Sequence, residues 1–519
     1  MKWLVRGLVL GLLAAPAIPQ RAQAAPAEFL PTKSPAYEEI EALAARGLLD
    51  SIAVFTRPLV RVDVARALLR AKRLHPGVEN DLHYRRLERE LARELTDLDA
   101  PPATPETGPL VDTGPREQRF RVSAGGHLRA DYDEKRDAAH YMIRDESSVN
   151  ARISLQLWPS FGAYEDLGIT RIRGQRVFID AVALHTDLES TVFRAELTGR
   201  TGPFTAALGY DTFRWGPGQR GTLLLADAAG PMGFLMYTAS LGGRVTGTAL
   251  SAQLSRADHR YMAAHRIEAR VSPRVTLGLA EAVRYRSDNV DLIYASGLIP
   301  YAIVERIQIR DASTDSVRIF ERANVMASLD ASWRVTDAAT VYGELLIDDL
   351  ATENKDMPDR IAYQAGVRSD RPWGARAIHL GAEYTRVYNF TYAVEYGQNF
   401  IHRDRPLGFA LGPDSKNVWV TGALDLSEDW QLRASGDFTN HGAGRLGDAW
   451  DTWMGPVSNV GLSGIVERTR EVWADARFLP RDDVDVSVGV GHRTIRNEHN
   501  VEGRAVDAWL MRLAMDLRY

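Results

Sequence analysis

Residues 508–519 read AWLMRLAMDLRY, and this closing stretch decides the fold. Side chains alternate between the two faces of an extended strand. One face of this strand therefore carries Trp509, Met511, Leu513, Met515, Leu517 and Tyr519, and the other carries Ala508, Arg512, Asp516 and Arg518. A strand with one apolar and one charged face predicts a β protein whose strands separate two different environments.

The same period of two recurs along most of the chain. Alternating apolar and polar residues fill the ranges 119–133, 149–157, 361–367, 418–426, 432–438 and 484–490. Clusters of Gly, Asp, Asn and Pro separate these runs, as turns require. A soluble β-sandwich shows the same alternation, so the pattern alone leaves two architectures open.

The first residues indicate the compartment. The basic residues Lys2 and Arg6 precede an apolar run from Gly7 to Ile18. After it, Ala22-Gln23-Ala24 has the form of a cleavage site. We interpret residues 1–24 as a secretory signal peptide, because the apolar run is shorter than the ~20 residues that span a bilayer. No later stretch is apolar enough to predict a transmembrane helix.

An exported chain with strands over residues 119–519 and no second apolar core favours a barrel. The aromatic end of the chain also resembles the terminal strand of bacterial outer-membrane barrels. A closed barrel lets strands cross lipid with every backbone group paired. At about 22 residues for each strand and its connection, we predict a mainly β fold: a large antiparallel transmembrane barrel of roughly 18 strands with a polar lumen.

A small α-helical bundle is predicted before the barrel. Apolar residues at helical spacing indicate one helix from Ser34 to a stop at Gly47, a second from Val62 to Lys72 and a third from about Tyr84 to Leu98. Residues 99–116 contain five prolines and no periodicity, which is typical of a linker. The predicted domains are a signal peptide (1–24), a periplasmic helical bundle (25–98), a Pro-rich linker (99–118) and the outer-membrane barrel (119–519).

Composition excludes several classes of function. The chain has 63 basic and 68 acidic side chains and a net charge of −5, which gives no strong attraction for nucleic acid. It has no cysteine, which excludes disulfide scaffolds, thiol nucleophiles and Cys-ligated metals. The 12 histidines are scattered without an HExxH motif, and no GxSxG occurs, so we predict neither a cofactor nor a catalytic metal.

The densest unusual segment is Arg214-Trp215-Gly216-Pro217-Gly218-Gln219-Arg220-Gly221-Thr222-Leu223-Leu224-Leu225-Ala226-Asp227. Its glycines lack the order and the strand-to-helix setting of a phosphate-binding loop. Positive φ angles and close backbone approach are the common reasons for such glycines, and they predict a tight loop or a constriction. Spacing alone assigns no function to Arg214, Trp215, Gly216, Pro217, Gly218, Gly221 or Asp227.

Read as a motif, the same segment resembles the capsule assembly Wzi family of outer-membrane proteins. Agreeing stretches are His265 to Glu268, Leu277 to Glu281, Tyr342 to Asp349 and Pro406 to Ser415. The stretch from Ala226 to Pro231 departs from the Ser-Asp-Asn that members tend to have there. The resemblance covers essentially the whole mature chain. It implies an outer-membrane barrel that assembles or attaches capsular polysaccharide as a lectin-like protein rather than an enzyme.

The helical segment is also similar to a single S-layer-homology unit. The similarity lies in Tyr37 to Leu48, Thr56-Arg57-Pro58 and Val62 to Ala65. It implies contact with peptidoglycan or another cell-wall polymer. A bundle that only plugs or steadies the periplasmic mouth of the barrel is the alternative.

Sugar recognition needs aromatic faces that stack on pyranose rings and polar groups that satisfy hydroxyls. The candidate polysaccharide-binding residues, all expected in outer loops, are Trp450, Asp451, Trp453, Tyr392, Tyr396 and Asn399. Tryptophans of barrels also occupy the girdles at the lipid interfaces. The absence of clean alternation around Trp450 and Trp453 favours a loop.

Two other functions stay open at this level. A passive porin would share the barrel and could carry the helical unit as a cell-wall tether. A glycosidase needs two carboxyl groups at a set separation, and the available pairs are Asp348-Asp349, Asp482-Asp483 and Glu344 with Asp348. Neighbours in one strand point to opposite faces, so Asp348 and Asp349 cannot both face the lumen if they lie in one. We favour solvated lumen or turn carboxylates.

Overall fold

The computed structural model describes residues 27–102, 109–115, 118–134, 145–158, 160–173, 181–185, 188–311, 323–350, 356–373, 376–394, 397–481 and 483–518. The predicted signal peptide and the residues Tyr396, Asp482 and Tyr519 lie outside these ranges. Among the described helices, none has the length and apolar character needed to cross a membrane.

Eighteen long antiparallel strands close into a barrel, which confirms the predicted fold. In chain order they are β1 (Arg119–Asp133), β2 (Asp145–Trp158), β3 (Phe161–Arg173), β4 (Leu188–Thr201), β5 (Phe204–Asp211), β6 (Met232–Leu241), β7 (Val245–Ser255), β8 (Arg260–Ser272), β9 (Val275–Arg286), β10 (Ala323–Arg334), β11 (Ala339–Asp349), β12 (Arg360–Trp373), β13 (Arg376–Val387), β14 (Ser415–Asp425), β15 (Trp430–His441), β16 (Glu467–Arg481), β17 (Val484–Arg496) and β18 (Ala505–Arg518). The last strand pairs with the first, with Leu513 opposite Ala130. This pairing leaves no free edge in the ring.

The two faces of the strands differ as the alternation predicts. On the outer face of β18, Trp509 and Met511 are each 55% exposed, whereas Leu510 between them is buried. On inner faces, Arg266, Arg284 and Glu383 are buried. The outside is thus an apolar belt suited to lipid, and the inside carries the charged groups.

The two ends of the barrel are unlike each other. At one end the strands are joined by short turns, such as residues 202–203, 273–274 and 426–429. At the other end lie long connections, including residues 212–231, 287–322, 388–414 and 442–466. A girdle of exposed tryptophans marks the short-turn end: Trp158, Trp333, Trp373 and Trp430.

Among the residues described before the barrel, four form α-helices: α1 (Ala36–Ala45), α2 (Arg61–Leu74), α3 (Leu82–Glu90) and α4 (Ala92–Asp97). Gly47, at φ +76°, ends the first one, because its turn lets the Leu48 N–H donate to the Leu43 carbonyl over 2.9 Å. The prediction of one continuous third helix is wrong. The chain breaks at Leu91, where the Arg61 guanidinium donates to the Glu90 carbonyl over 2.6 Å.

The predicted linker contains a short strand. Val111–Thr113 pairs with the start of β1, with Val111 opposite Val122. Asp112 on this strand forms an ion pair with Arg119 over 2.5 Å. Three residues of the predicted linker thus join the barrel wall.

Two further helices lie against the outer face of the barrel wall. They are α5 (Leu292–Ser296) and α6 (Tyr301–Asp311), in the long connection between β9 and β10. Tyr294 and Tyr301 pack on outward residues of β8 and β9, which are Tyr261, Ala263, Val283 and Tyr285. The Tyr301 N–H donates to Glu281 over 2.7 Å, so the hairpin covers a carboxylate on the lipid-facing side.

Candidate functional site

The helical bundle fills the short-turn end of the lumen. Its ion pairs reach strands around the whole ring: Asp97 to Arg121 on β1, Glu28 to Arg194 on β4, Glu41 to Arg368 on β12, Glu38 to Arg433 on β15 and Glu90 to Arg518 on β18. Phe55 and Thr56 also donate to Glu268 on β8, over 3.3 and 2.7 Å. A cleft of about 460 Å³ remains between the bundle and the wall near β1, β2 and β18. The bundle is thus a plug bound to the wall on all sides.

Within the bundle, buried charges are compensated. Glu94 is fully buried, and the Arg61 guanidinium lies 2.9 Å from its carboxylate. Burial alone would raise the pKa of the Glu94 carboxyl, but the charges of Arg61 and Arg93 outweigh it and lower that pKa to about 2. The carboxylate therefore stays ionised at neutral pH and orients α2 against α4.

The segment from Arg214 to Asp227 folds inward and meets the plug. Arg214 and Trp215 pair with Arg57 and Thr56 as a two-residue ladder. The Gly216 N–H donates to the Phe55 carbonyl and the Trp215 N–H to the Leu225 carbonyl, each over 2.9 Å. Trp215 is 1% exposed. The unusual motif is therefore an inward segment that lies across the lumen above the bundle.

Carboxylates of the barrel wall bind the backbone of this inward segment. Glu344 on β11 accepts the N–H groups of Leu223 and Leu224 over 3.1 and 3.3 Å. Glu383 on β13 accepts those of Gln219 and Arg220 over 2.6 and 3.1 Å. The inward chain thus obtains the hydrogen bonds that a buried backbone requires.

The glycines of the motif permit close contact. A Cβ atom on Gly218 would lie 2.0 Å from the Gly221 carbonyl oxygen and 2.1 Å from Oε1 of Gln364. On Gly221 it would lie 2.9 Å from the ring of Phe409. Gly216 also adopts φ +130°, which side chains rarely tolerate. Arg214 completes the turn, since its guanidinium donates to the carbonyls of Gly218 and Gln219 and lies 3.8 Å from Asp227.

A long connection covers the inward segment from the other side. The Tyr392 hydroxyl donates to the Leu223 carbonyl over 2.7 Å and accepts the Phe409 N–H over 3.2 Å. Burial raises the pKa of this hydroxyl well above its usual range. Asp348 accepts the Tyr392 N–H over 2.7 Å, so this carboxylate supports the loop.

These layers pack against one another and against the wall inside the barrel. Apolar side chains of the inward segment and of residues 388–414 join the inner face of the wall in one buried cluster, which includes Phe213, Trp215, Leu224, Tyr392, Phe400 and Phe409. Sequence reasoning left the state of the lumen undecided. The structure shows it occupied by the plug, the inward segment and the loop 388–414.

The predicted sugar-binding residues occupy unequal positions. Trp453 is 77% exposed, in a short 3-10 turn over Thr452–Met454. Trp450 is buried, and its Nε1 donates to the Gly455 carbonyl over 3.0 Å. Asp451 is half-buried. Tyr392 is buried under the outer surface, as described above, and Tyr396 lies outside the described residues.

Asn399 connects the two loops that carry these residues. Its Oδ1 accepts the Val394 N–H over 3.0 Å, and its Nδ2 lies 3.3 Å from where a Cβ atom on Gly447 would be. The structure thus brings the loop of Asn399 beside the loop of Trp450 and Trp453. Their role in binding sugar remains a prediction.

Sequence reasoning missed Glu383 and the pairing of Gln364 with the inward segment. Gln364 Nε2 donates to the Gly221 carbonyl over 3.2 Å and to Glu383 over 2.8 Å. Their positions gave one indication, because acidic and amide side chains in the middle of an inward strand face need hydrogen-bond partners when they are buried. The sequence could not identify those partners, since they are backbone groups of a segment far away in the chain.

Comparison with known proteins agrees with this architecture. The family model of the capsule assembly protein Wzi matches residues 301–508. The predicted resemblance to the Wzi family is confirmed. The matched range runs from α6 to the first residues of β18 and so includes Glu344, Glu383 and the loop 388–414. No curated protein is found to match the chain.

Among solved structures, the chain is similar to Wzi of Escherichia coli, described as an outer membrane protein involved in group 1 capsule assembly and a carbohydrate-binding β-barrel. The identity is 15%, the TM-score is 0.64, and the match covers 95% of this chain and 99% of that chain. At this identity the match shows a shared fold.

Lower similarity extends to other barrels. OpdK of Pseudomonas aeruginosa, solved with vanillate, has 10% identity and a TM-score of 0.44, over 77% of this chain and 98% of that one. OccAB1 of Acinetobacter baumannii has 8% identity and a TM-score of 0.46, over 77% and 96%. Neither similarity bears on function.

Proposed function

We propose that this chain assembles or attaches capsular or other extracellular polysaccharide at the cell surface, as a lectin-like outer-membrane protein. The observation that carries the proposal is the occupied lumen: bundle, inward segment and loop 388–414 fill the barrel in a chain that matches the Wzi family. A filled barrel suits a protein that binds polymer at its surface. The matched family is a capsule assembly family, and we assign no catalytic role.

The direction of the barrel in the membrane follows from its two ends. Outer-membrane barrels have short turns on the periplasmic side and long loops outside. The bundle binds the short-turn end, which supports a periplasmic position for it. A signal peptide over residues 1–24 would deliver the chain to that compartment.

Polysaccharide would then meet the long loops. Trp453, as an exposed indole, supplies a stacking face, and Asp451 and Asn399 supply polar groups for hydroxyls. Trp450 and Tyr392 support the loops from within, and Tyr396 belongs to the same predicted surface. A polymer presents the same sugar many times, so weak contacts add up to useful avidity.

For the bundle, we propose closure of the periplasmic mouth as the main role, because its acidic residues are bound to arginines of the wall. Contact with peptidoglycan through the side turned away from the barrel is the second role, which the S-layer-homology resemblance implies. Sedimentation of the purified protein with isolated peptidoglycan tests it.

The proposal is tested by the distribution of surface polysaccharide between washed cells and medium, with and without the gene. Attachment predicts similar total polymer that moves into the medium on deletion and returns to the cells on complementation. An unchanged distribution overturns the proposal. Single-channel recording distinguishes the proposal from the alternative function, a passive porin. A porin predicts a large and stable open current, whereas we expect a closed barrel.

A further inference from the structure

The contact between α3 and the barrel wall contains two histidines that are far apart in sequence. His83 on α3 and His379 on β13 have ring centroids 4.9 Å apart, with ring planes at 78°. Asp425, at the end of β14, lies beside them. One potential ligand atom from each of the three residues lies within 4.8 Å of the other two.

A carboxylate engages Nδ1 of each ring. His83 Nδ1 lies 2.5 Å from Glu39 of α1, and His379 Nδ1 lies 2.8 Å from Asp370 of β12. Metal-binding histidines commonly have this arrangement, because a hydrogen bond at one nitrogen fixes the tautomer that offers the other nitrogen to an ion. Nε2 of His379 lies 2.6 Å from Asp425 Oδ2. In the described ranges, the His83 ring forms no hydrogen bond through Nε2.

The carboxylates around the cluster outnumber the guanidinium groups by one. Three carboxylates, Glu39, Asp370 and Asp425, are close to two guanidinium groups. Arg86 lies 2.8 Å from Asp425 and 3.5 Å from Glu39, and Arg368 lies 3.0 Å from Asp370. With neutral imidazoles this set has a net negative charge, and every member is largely buried. Buried charge requires compensation, which a proton or a metal ion can supply.

We propose that His83, His379 and Asp425 bind a divalent transition-metal ion of the zinc class. Imidazole nitrogens and one carboxylate select zinc over magnesium or calcium, which prefer oxygen ligands. Tetrahedral ligands about 2.1 Å from zinc lie about 3.4 Å apart. The ligand atoms, which lie within 4.8 Å of one another, therefore need to approach by up to about 1.4 Å. Asp425 Oδ2, 2.6 Å from His379 Nε2, needs to move away by about 0.8 Å to admit the ion. The ion takes the place of the proton between His379 Nε2 and Asp425, and water completes its coordination.

Such an ion would connect the plug to the wall. His83 belongs to the bundle, and the other two ligands belong to adjacent barrel strands. The site therefore lies at the interface between the two parts of the molecule, distant from the outer loops. It is independent of the proposed polysaccharide function.

The test is titration of the full-length, metal-free protein in detergent with ZnCl₂, followed by calorimetry, and with CoCl₂, followed by visible absorption. We expect one ion per chain, tetrahedral cobalt bands and a higher Tm. The variants His83→Asn and His379→Gln should lose at least about tenfold in affinity, and Glu39→Gln should lose about ten- to a hundredfold through its effect on His83. His492→Ala is the matched control, because His492 pairs with Asp507 away from the cluster.

Absence of stoichiometric binding to the wild-type protein overturns the proposal, whatever the variants do. Equal binding by His83→Asn, His379→Gln and the wild type also overturns it, since the ion then lies elsewhere. The cobalt spectrum reports on ligand type, so a variant that is only less stable remains distinguishable from one that has lost a ligand.

Discussion

The carboxylate of Glu344 accepts the backbone N–H of Leu223 over 3.1 Å, although the two residues are 121 positions apart. Glu344 points inward from the middle of β11 and is buried. Its second oxygen accepts the next N–H along the chain. Together with Glu383 and Gln364, this side chain of the wall holds the inward segment where it crosses the lumen.

Replacement of Glu344 by alanine should release the inward segment and allow intermittent current through the barrel. A buried N–H group left without an acceptor costs about 1–3 kcal/mol, and two lose their acceptor. Planar-bilayer recording measures the result, with a silent wild type as reference. Glu344→Gln retains one carbonyl acceptor and should open less often. A Glu344→Ala barrel as silent as the wild type would show that other contacts alone fix the segment.

Gly218→Ala should destabilise the same segment by about 1–3 kcal/mol, because the new methyl group overlaps a carbonyl oxygen and Gln364. Gly247→Ala is the matched control, since nothing lies within 4 Å of a Cβ atom there. Proteolysis of the detergent-solubilised barrel at graded temperature compares the two. Equal protection of both variants would contradict the close approach.

Acid should loosen the bundle below about pH 4 through its buried carboxylates. The folded-state pKa of Glu94 is lowered to about 2, so its stabilising contribution is complete above the unfolded pKa and is lost as the pH falls from about 4.5 toward 2. The contribution is at most about 3 kcal/mol. Hydrogen exchange of α2 and α4 at pH 7, 4 and 2.5 measures it. Glu94→Gln should be less protected at pH 7 and less sensitive to acid.

Trp453→Ala should weaken binding of the native polysaccharide a few-fold and leave stability unchanged, because this indole is exposed. Trp450→Ala removes a buried ring and should destabilise its loop by about 3 kcal/mol or more. Affinity electrophoresis in gels that contain the polymer measures the first effect, and thermal unfolding the second. Unchanged mobility of Trp453→Ala would remove this residue from the proposed surface.

The barrel was predictable because the alternation of apolar and polar residues that defines each strand is visible within a few neighbouring residues. Alternation in residues 508–519 separates the lipid face from the lumen face, and the exposed Trp509 and the pairing of Arg512 with Asp131 over 3.0 Å bear this out. Gly47 marked a helix end correctly for a similar reason. The signals lie within a few residues of the feature that they predict.

The contents of the lumen were not predictable in the same way. The inward segment depends on Glu344, Glu383 and Gln364, which no local pattern connects to it. The helix break at Leu91 accompanies a hydrogen bond from Arg61, in another helix, to the Glu90 carbonyl. Outward tyrosines such as Tyr285 are typical of a lipid face, and only the folded chain shows that α5 and α6 cover them.

The bundle also contacts both strands at which the ring closes. Arg121 on β1 lies 3.2 Å from Asp97, and Arg518 on β18 lies 3.0 Å from Glu90. These two strands adjoin in the wall but are the most distant in the chain, so the loop-closure entropy of their pairing is large. Lateral opening of the wall toward lipid at this seam must therefore break the ion pairs with the bundle as well as the strand ladder. A domain inside the mouth thus strengthens the barrel against the surrounding membrane.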